Sequence, residues 1–493
     1  MPSNSVANTF VSSPIVSSAF VSRRTALAVT GAAVAATGLK PRPLRAQNKT
    51  DVIVIGAGLS GLNAAMLLEE QGYSVQVIEG RDRIGGRLLS LRDIPGNPEA
   101  GGNGIGAGYG RMIDVIDRLN IPVLNSAGRE RLTPFELYLD GERISNEAWP
   151  THPKNILPDD WKSFSPRLVP LVLLNRTNPL ESFEDWYDAK SAPYDISVYK
   201  VFKDAGFTDE QIDLTYNLNV PYGTSAHDIS ALMMWFNDGW VASMQGGEPT
   251  QLSALGGNMS MPEMMAKTLA REVHLNKEVV GIRSGDNAAE VVCQDGSTYK
   301  ADRVVCSLPL PVMRYIKFDP FLSSVQAKAI ALVPYFPMTQ VHLVAKEPFW
   351  EDDEWSPDMW TDTVAGHIIA NRHNIDNTDV TSLTAWSRGF MAHRLDQIDP
   401  EEAKAWVISE MERMRPAAKG KLEAPHIKSW LRDPFAGGDY AVWQPGQVTE
   451  FLHATSKVHG RVHFCGEHTA LSNRGMEGAM ESGERAAFEI MGI

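Results

Sequence analysis

Asp51-Val52-Ile53-Val54-Ile55 is an unbroken, β-branched apolar run of the kind that makes a strand buried on both faces of a parallel sheet. It enters Gly56-Ala57-Gly58-Leu59-Ser60-Gly61 directly. Beyond the glycines Leu62, Ala65, Met66 and Leu68 recur at helical spacing, which predicts a helix from Leu59 to Gln71 with those side chains on the sheet. Ser74-Val75-Gln76-Val77-Ile78 predicts the next strand, and Arg461-Val462-His463-Phe464 a further one. Gly475 to Met491 reads as a closing helix with small residues at Gly475, Gly478, Ala479 and Gly483. Between these segments Phe164–Asn178 and Ile196–Val220 predict helices, while Thr339–Ala345 and Thr381–Ser387 alternate as strands do. The pattern predicts an α/β protein in which a Rossmann-like unit is interleaved in sequence with a second, α+β domain.

The glycines have separate jobs. Gly56 permits the tight turn, Gly58 lets a pyrophosphate approach the backbone, and Gly61 lets the helix pack closely on the strand. The first amides of that helix then face the phosphates. Glu79 follows the second strand, 18 residues beyond Gly61, where a carboxylate can accept both ribose hydroxyls.

Composition narrows the field. The 493 residues are 43% hydrophobic and 22% charged, an ordinary globular balance with room for two or three domains. Residues 1–50 hold six basic residues and no acid, so the formal charge of −14 becomes about −20 over residues 51–493. Such a surface repels phosphates and excludes nucleic acid as a partner. Cys293, Cys306 and Cys465 are too few for a disulfide framework and lack metal-ligand spacing, and His367 and His373 lie too far apart for one helical face, so no metal site is expected. Ser22-Arg23-Arg24-Thr25-Ala26-Leu27, an apolar run to Leu39 and a cleavage point after Ala46 resemble a bacterial twin-arginine signal, with Ala26 where a large apolar residue is usual. Residues 1–46 are therefore expected to direct export to the periplasm or medium. At about 15 residues the apolar run is too short for a permanent membrane span.

Glu79-Gly80-Arg81-Asp82-Arg83-Ile84-Gly85-Gly86-Arg87 resembles the FAD signature of the flavin-containing amine oxidases, the family of monoamine, polyamine and L-amino acid oxidases. The resemblance returns in Leu255 to Pro262, Val279 to Ile282, Ala301 to Pro309, Lys346 to Trp350, Trp430 to Gly438, and Phe464 to Thr469 with Gly475 to Ala479. It implies an FAD-binding domain of residues 51–105, 255–310 and 439–493, and a substrate domain of residues 106–254 and 311–438. It places Arg81, Gly86, Arg87, Gly102, Trp430 and Met476 at the cofactor, the Val279 backbone at the adenine, and Glu467 on the ribityl hydroxyls.

Departures from the family pattern carry the finer expectations. Six residues before Lys346, where many members hold a water near flavin N5 with a lysine, stands Gln340. An amide can hold water but adds no positive charge, which puts fast reaction with oxygen in doubt and leaves oxygen, a quinone or a cytochrome as acceptor. Strand alternation puts His342 and Lys346 on the same face as Gln340. Of the two aromatic rings that frame the amine in monoamine oxidases, Tyr440 supplies one, while the other position holds Gly475, preceded by Arg474. Arg474 either meets an anionic or strongly polar substrate or pairs with phosphate or Glu477. No cysteine stands next to Tyr440, so FAD is expected to be non-covalent, and the stretch Gly101 to Ile105 lacks the arginine that grips a carboxylate in L-amino acid oxidases. The expected reaction is oxidation of a small-molecule amine by hydride transfer to flavin N5, followed by hydrolysis of the imine, with Gln340, Tyr440 and Arg474 as candidate catalytic residues. The alternatives are oxidation of a C–C or C–O bond and a catalytically idle FAD-binding protein; monomer and homodimer are both compatible with the sequence.

Overall fold

A computed structural model describes residues 50–125, 135–244, 251–372 and 379–493. The twin-arginine segment and His373 lie outside the described residues. Val52–Ile55 pairs in parallel with Val75–Ile78 on one side and with Arg303–Cys306 on the other, and Val462–Phe464 extends the sheet in parallel beyond Arg303–Cys306. The strands are mostly apolar and almost wholly buried, and helix Leu59–Glu70 packs against the first three of them. Helix Leu59–Glu70 follows the first strand within one residue of its expected end. It is buried nearly all round because the closing helix, Gly475–Met491, packs on its outer side. There Asn63 Nδ2 donates to the Met480 carbonyl at 2.7 Å, and a Cβ on Gly483 would lie 2.3 Å from the Ser60 carbonyl oxygen.

Among the described residues a second, seven-stranded sheet runs in the order 422–429, 338–345, 380–388, 367–372, 359–361, 136–139, 142–144. The two strands expected from alternation are its neighbours Met338–Ala345 and Val380–Arg388, paired antiparallel. Smaller sheets group Val279–Ser284 with strands at 289–293, 298–301 and 317–319, and join Ile105–Gly106, Val123–Asn125 and Gln251–Ala254.

The two stretches expected to be mostly helical are so, with shorter helices inside them. The helix expected over Phe164–Asn178 is confined to Val169–Thr177, with Pro170 in its first turn, where a missing N–H is harmless. The one expected over Ile196–Val220 divides into Val198–Asp204, Asp209–Ile212 and a π-turn at Asp213–Asn217. Gly206, at φ +86°, breaks the run, and Thr208 caps the next helix through a reciprocal pair with Gln211. No helix among the described residues is long and apolar enough to cross a membrane.

Candidate functional site

The turn after the first strand opens a cavity of about 880 Å³. Gly56 takes φ +101°, and a Cβ there would lie 2.4 Å from Ser307 Oγ. Gly58 and Gly86 face each other across the wall, with a Cβ on Gly86 falling 3.3 Å from the Gly58 Cα. Gly61 is not at the wall. A Cβ on it would lie 2.1 Å from the Gly56 carbonyl oxygen, so its bareness serves helix-to-strand packing, as its position in the motif requires.

Glu79 is buried at the end of the second strand and borders the cavity. Its Oε2 accepts from the Ala57 amide at 2.8 Å and its Oε1 from the Arg81 amide at 2.9 Å. A carboxylate has about four acceptor positions, so two remain for a pair of hydroxyls. The Arg81 guanidinium is bound to Asp433 and lies 5.2 Å from the Phe435 ring centroid. Arg87 donates to the Asp439 carbonyl at 2.7 Å and to Glu467 Oε1 at 2.9 Å, and Glu467 also accepts from the Ala441 amide at 3.1 Å. Burial, the largest single influence, would raise the Glu467 pKa, but Arg87, His468 and the Ala441 amide together hold the carboxyl below its ordinary range. Val279, Gly102 and Met476 border the same cavity. Gly102 is bare because Met476 occupies its side-chain space, with Sδ 2.8 Å from a would-be Cβ.

Trp430, expected at the cofactor, is corrected. It lies behind the wall, fully buried, with its indole N–H donating to the Ala100 carbonyl at 2.6 Å and Lys428 Nζ 4.3 Å from its ring centroid. A fully buried tryptophan needs a partner for that N–H, and here the protein supplies it. The small residues of the closing helix also divide. Gly475 and Ala479 border the cavity, whereas Gly478 and Gly483 make room for the Asn473 and Ser60 backbones.

At the other end of the cavity the seven-stranded sheet presents a row of side chains. Gln340 is the register partner of Trp386, which is also the partner of His367, so the pleat turns all three to one face, and all three border the cavity. Gln340 is buried. Its Nε2 has only the Met338 sulfur at 3.5 Å, and its Oε1 has no partner among the described residues. Its expected companions are elsewhere. His342 is held neutral by burial, with its pKa pushed down to about 3, and shares a hydrogen bond with Thr384. Lys346 lies past the strand end, exposed, 3.3 Å from Glu423.

The Tyr440 ring is stacked on Phe336 at 5.1 Å and stands 5.6 Å from Tyr222 at an interplanar angle of 57°. Tyr222 thus places a second aromatic ring beside Tyr440 at the cavity wall. Arg474 lies over both tyrosines, its guanidinium carbon 4.8 Å from one centroid and 5.4 Å from the other. It does not pair with Glu477, whose carboxylate accepts from the Arg111 amide and side chain and from the Met112 amide. Asp439, beside Tyr440, also borders the cavity, and burial raises its carboxyl to about 6 against the opposing pull of Arg87. The three cysteines are buried free thiols away from the wall. No group of His, Cys, Asp and Glu among the described residues is placed to hold a metal.

Residues 59–491 match the family model for flavin-containing amine oxidoreductases. The chain belongs to that family. It is 27% identical over 481 residues to the flavin-containing amine oxidase of Oncorhynchus mykiss, covering 91% of this chain and 87% of that one. It is 26% identical over 477 residues to the human flavin-containing amine oxidase B, covering 90% and 86%. Among solved structures, cyclohexylamine oxidase from Brevibacterium oxydans IH-35A superposes with a TM-score of 0.73 at 21% identity, covering 90% of this chain and 98% of that one. Putrescine oxidase bound to putrescine superposes at 0.72 with 23% identity, covering 90% and 99%. This flavin-containing amine oxidoreductase therefore has the α/β amine oxidase fold, uses FAD and oxidises amines. The cavity fits FAD on its own chemistry: two unspent acceptor positions on Glu79, the bare Gly58–Gly86 pair, and the amides at the start of two helices.

Proposed function

We propose that the protein is an exported amine dehydrogenase in which Glu79, Gly58, Gly86, Arg87 and Glu467 hold FAD while Gln340, Tyr222 and Tyr440 receive the amine. One observation carries this reading: a single cavity is bordered at once by Glu79 and by the Gln340–Tyr440 pair. FAD supplies there a two-electron acceptor for hydride from the carbon that bears nitrogen. The chain's own groups do the rest. The N-terminal amides of helix Gly475–Met491 favour negative charge at the adjacent wall. The Tyr440 and Tyr222 rings restrict how a substrate lies between them, and the unmatched Oε1 of Gln340 accepts from a water or from the amine N–H. Residues 51–105, 255–310 and 439–493 serve as the cofactor domain, in keeping with a parallel sheet drawn from those segments. Residues 106–254 and 311–438 serve as the substrate domain, in keeping with the seven-stranded sheet drawn from them.

Gln340 places no charge where a lysine would, so electron transfer to oxygen is slow and a cytochrome or quinone is the acceptor. Anaerobic mixing with a panel of amines is expected to bleach the flavin, and the bleached protein to recover its colour faster with cytochrome c than with air-saturated buffer. Gln340→Lys should narrow that difference. Recovery in air faster than turnover, or no change in the lysine variant, contradicts the dehydrogenase reading.

Export through residues 1–46 rests on Arg23 and Arg24. Replacing both by lysine is expected to leave the full-length precursor in the cytoplasmic fraction of a bacterial host. Continued appearance of the double variant in the periplasmic fraction contradicts it.

A further inference from the structure

Arg474 and Arg388 both border the cavity, both are partly buried, and neither makes an ion pair to a carboxylate among the described residues. Arg388 ends the strand Val380–Arg388, one row from Gln340 and Trp386, and its guanidinium carbon lies 5.0 Å from the Trp386 ring centroid. Arg474 lies over Tyr222 and Tyr440, the same pair whose hydroxyls act electrostatically on Arg388. A guanidinium held over an aromatic ring keeps its N–H groups available to donate. Of those groups, Arg474 Nη1 and Arg388 Nε find no acceptor among the described residues. An unpaired buried guanidinium is unfavourable unless something supplies the missing acceptor.

The neighbouring charges do not supply it. Glu467 is taken by Arg87, and Glu477 by Arg111. Asp439 is the acid on which both arginines act, together with Arg87 and Glu467, and burial raises its carboxyl to about 6, so it offsets at most one of them. His367 stays neutral under burial and the field of Arg388 and Arg167. A simple ammonium ion entering here meets like charge. An amine that also carries an acid brings the missing acceptors.

We propose that the substrate is an amine bearing an anionic group, in the first instance a carboxylate, received by the guanidinium edges of Arg388 and Arg474 while its amine-bearing carbon lies toward Gln340. This rests on the amine reading above and names the substrate class of the same site. The two arginines are then specificity-determining residues, and the carboxylate takes charge-assisted hydrogen bonds in a desolvated setting.

The test titrates the FAD-loaded protein at pH 7 with benzoate and with its neutral isostere benzamide, following the flavin spectrum. The wild type should bind benzoate at least about tenfold more tightly. Arg388→Met and Arg474→Met should each weaken benzoate by about ten- to a hundredfold while leaving benzamide nearly unchanged, and Arg388→Lys should retain part of the preference. Equal binding of benzoate and benzamide by the wild type overturns the proposal, whether or not the variants fold. Benzoate binding unchanged in both methionine variants also overturns it. Failure here is separable from failure of the amine reading. Bleaching by simple amines without a benzoate preference removes the anion site alone. A benzoate preference that depends on the arginines, with no bleaching by amines or amino acids, supports the anion site and contradicts amine oxidation.

Discussion

Glu467→Ala is expected to destabilise the apoprotein by about 3 kcal/mol and to weaken FAD binding by at least about tenfold. The carboxylate accepts from Arg87 at 2.9 Å and from the Ala441 amide at 3.1 Å, so truncation leaves the Arg87 guanidinium at the cavity wall and a buried amide behind it without this acceptor. Arg87 keeps the Asp439 carbonyl, which places the loss at the lower end of the range for broken buried pairs, about 3–5 kcal/mol. Glu467→Gln retains an acceptor and loses only the charge, so it should lie between alanine and wild type. Urea denaturation of the apoprotein and fluorescence titration with FAD measure the two effects. Changes within about 0.5 kcal/mol in both would remove Glu467 from the cofactor site.

Gly61→Ala acts through packing. The added Cβ would lie 2.1 Å from the Gly56 carbonyl oxygen, 2.9 Å from Ser307 Oγ and 3.1 Å from Val54 Cγ1. The first of these is backbone and has no rotamer by which to yield. Helix Leu59–Glu70 must therefore withdraw from the strand, carrying with it the amides that face the cavity at Gly58 and Leu59. Overpacking of this kind costs about 1–3 kcal/mol, and this site belongs at the upper end because no flexible group absorbs the strain. The purified variant should emerge colourless, with a lowered midpoint in thermal denaturation. Gly281→Ala is the control. Its Cβ would meet nothing nearer than the Lys317 carbonyl oxygen at 3.6 Å, so its flavin content and midpoint should stay close to wild type. A Gly61→Ala protein that is yellow and as stable as the control would show that close helix-to-strand approach does not shape the site.

What the sequence revealed about this molecule follows the reach of its local rules. Gly56, Gly58, Gly61 and Glu79 lie within one strand–turn–helix–strand unit, where positive φ and backbone clashes restrict the residue types allowed, so the turn at Gly56 and the close packing at Gly61 could be read locally. The closing helix was legible to the residue because Gly475 at φ +57° and Gly492 at φ +78° mark its two ends. Tyr222 was not legible as the ring facing Tyr440, since nothing local joins two residues 218 positions apart in the chain. Arg388, Trp386 and His367 escaped for a related reason. Alternation assigns a residue to a face, but the register that brings Gln340, Trp386 and His367 into one row is set by pairing between strands. Trp430 failed in the opposite sense. A tryptophan in a cofactor-like block reads the same whether its N–H meets a ligand or, as here, the Ala100 carbonyl. Within the mostly helical stretch Ile196–Val220, Gly206 and the Thr208 cap set where one helix ends and the next begins.

A single anaerobic turnover, with products counted against flavin, tests the central claim most directly. Mixed with excess amine in the absence of oxygen, the FAD-loaded protein should lose its visible flavin absorbance and release one carbonyl compound for each flavin bleached. Flavin that stays oxidised with every amine while dithionite still bleaches it, or bleaching without a carbonyl product, would contradict amine oxidation in the cavity between Glu79 and Gln340.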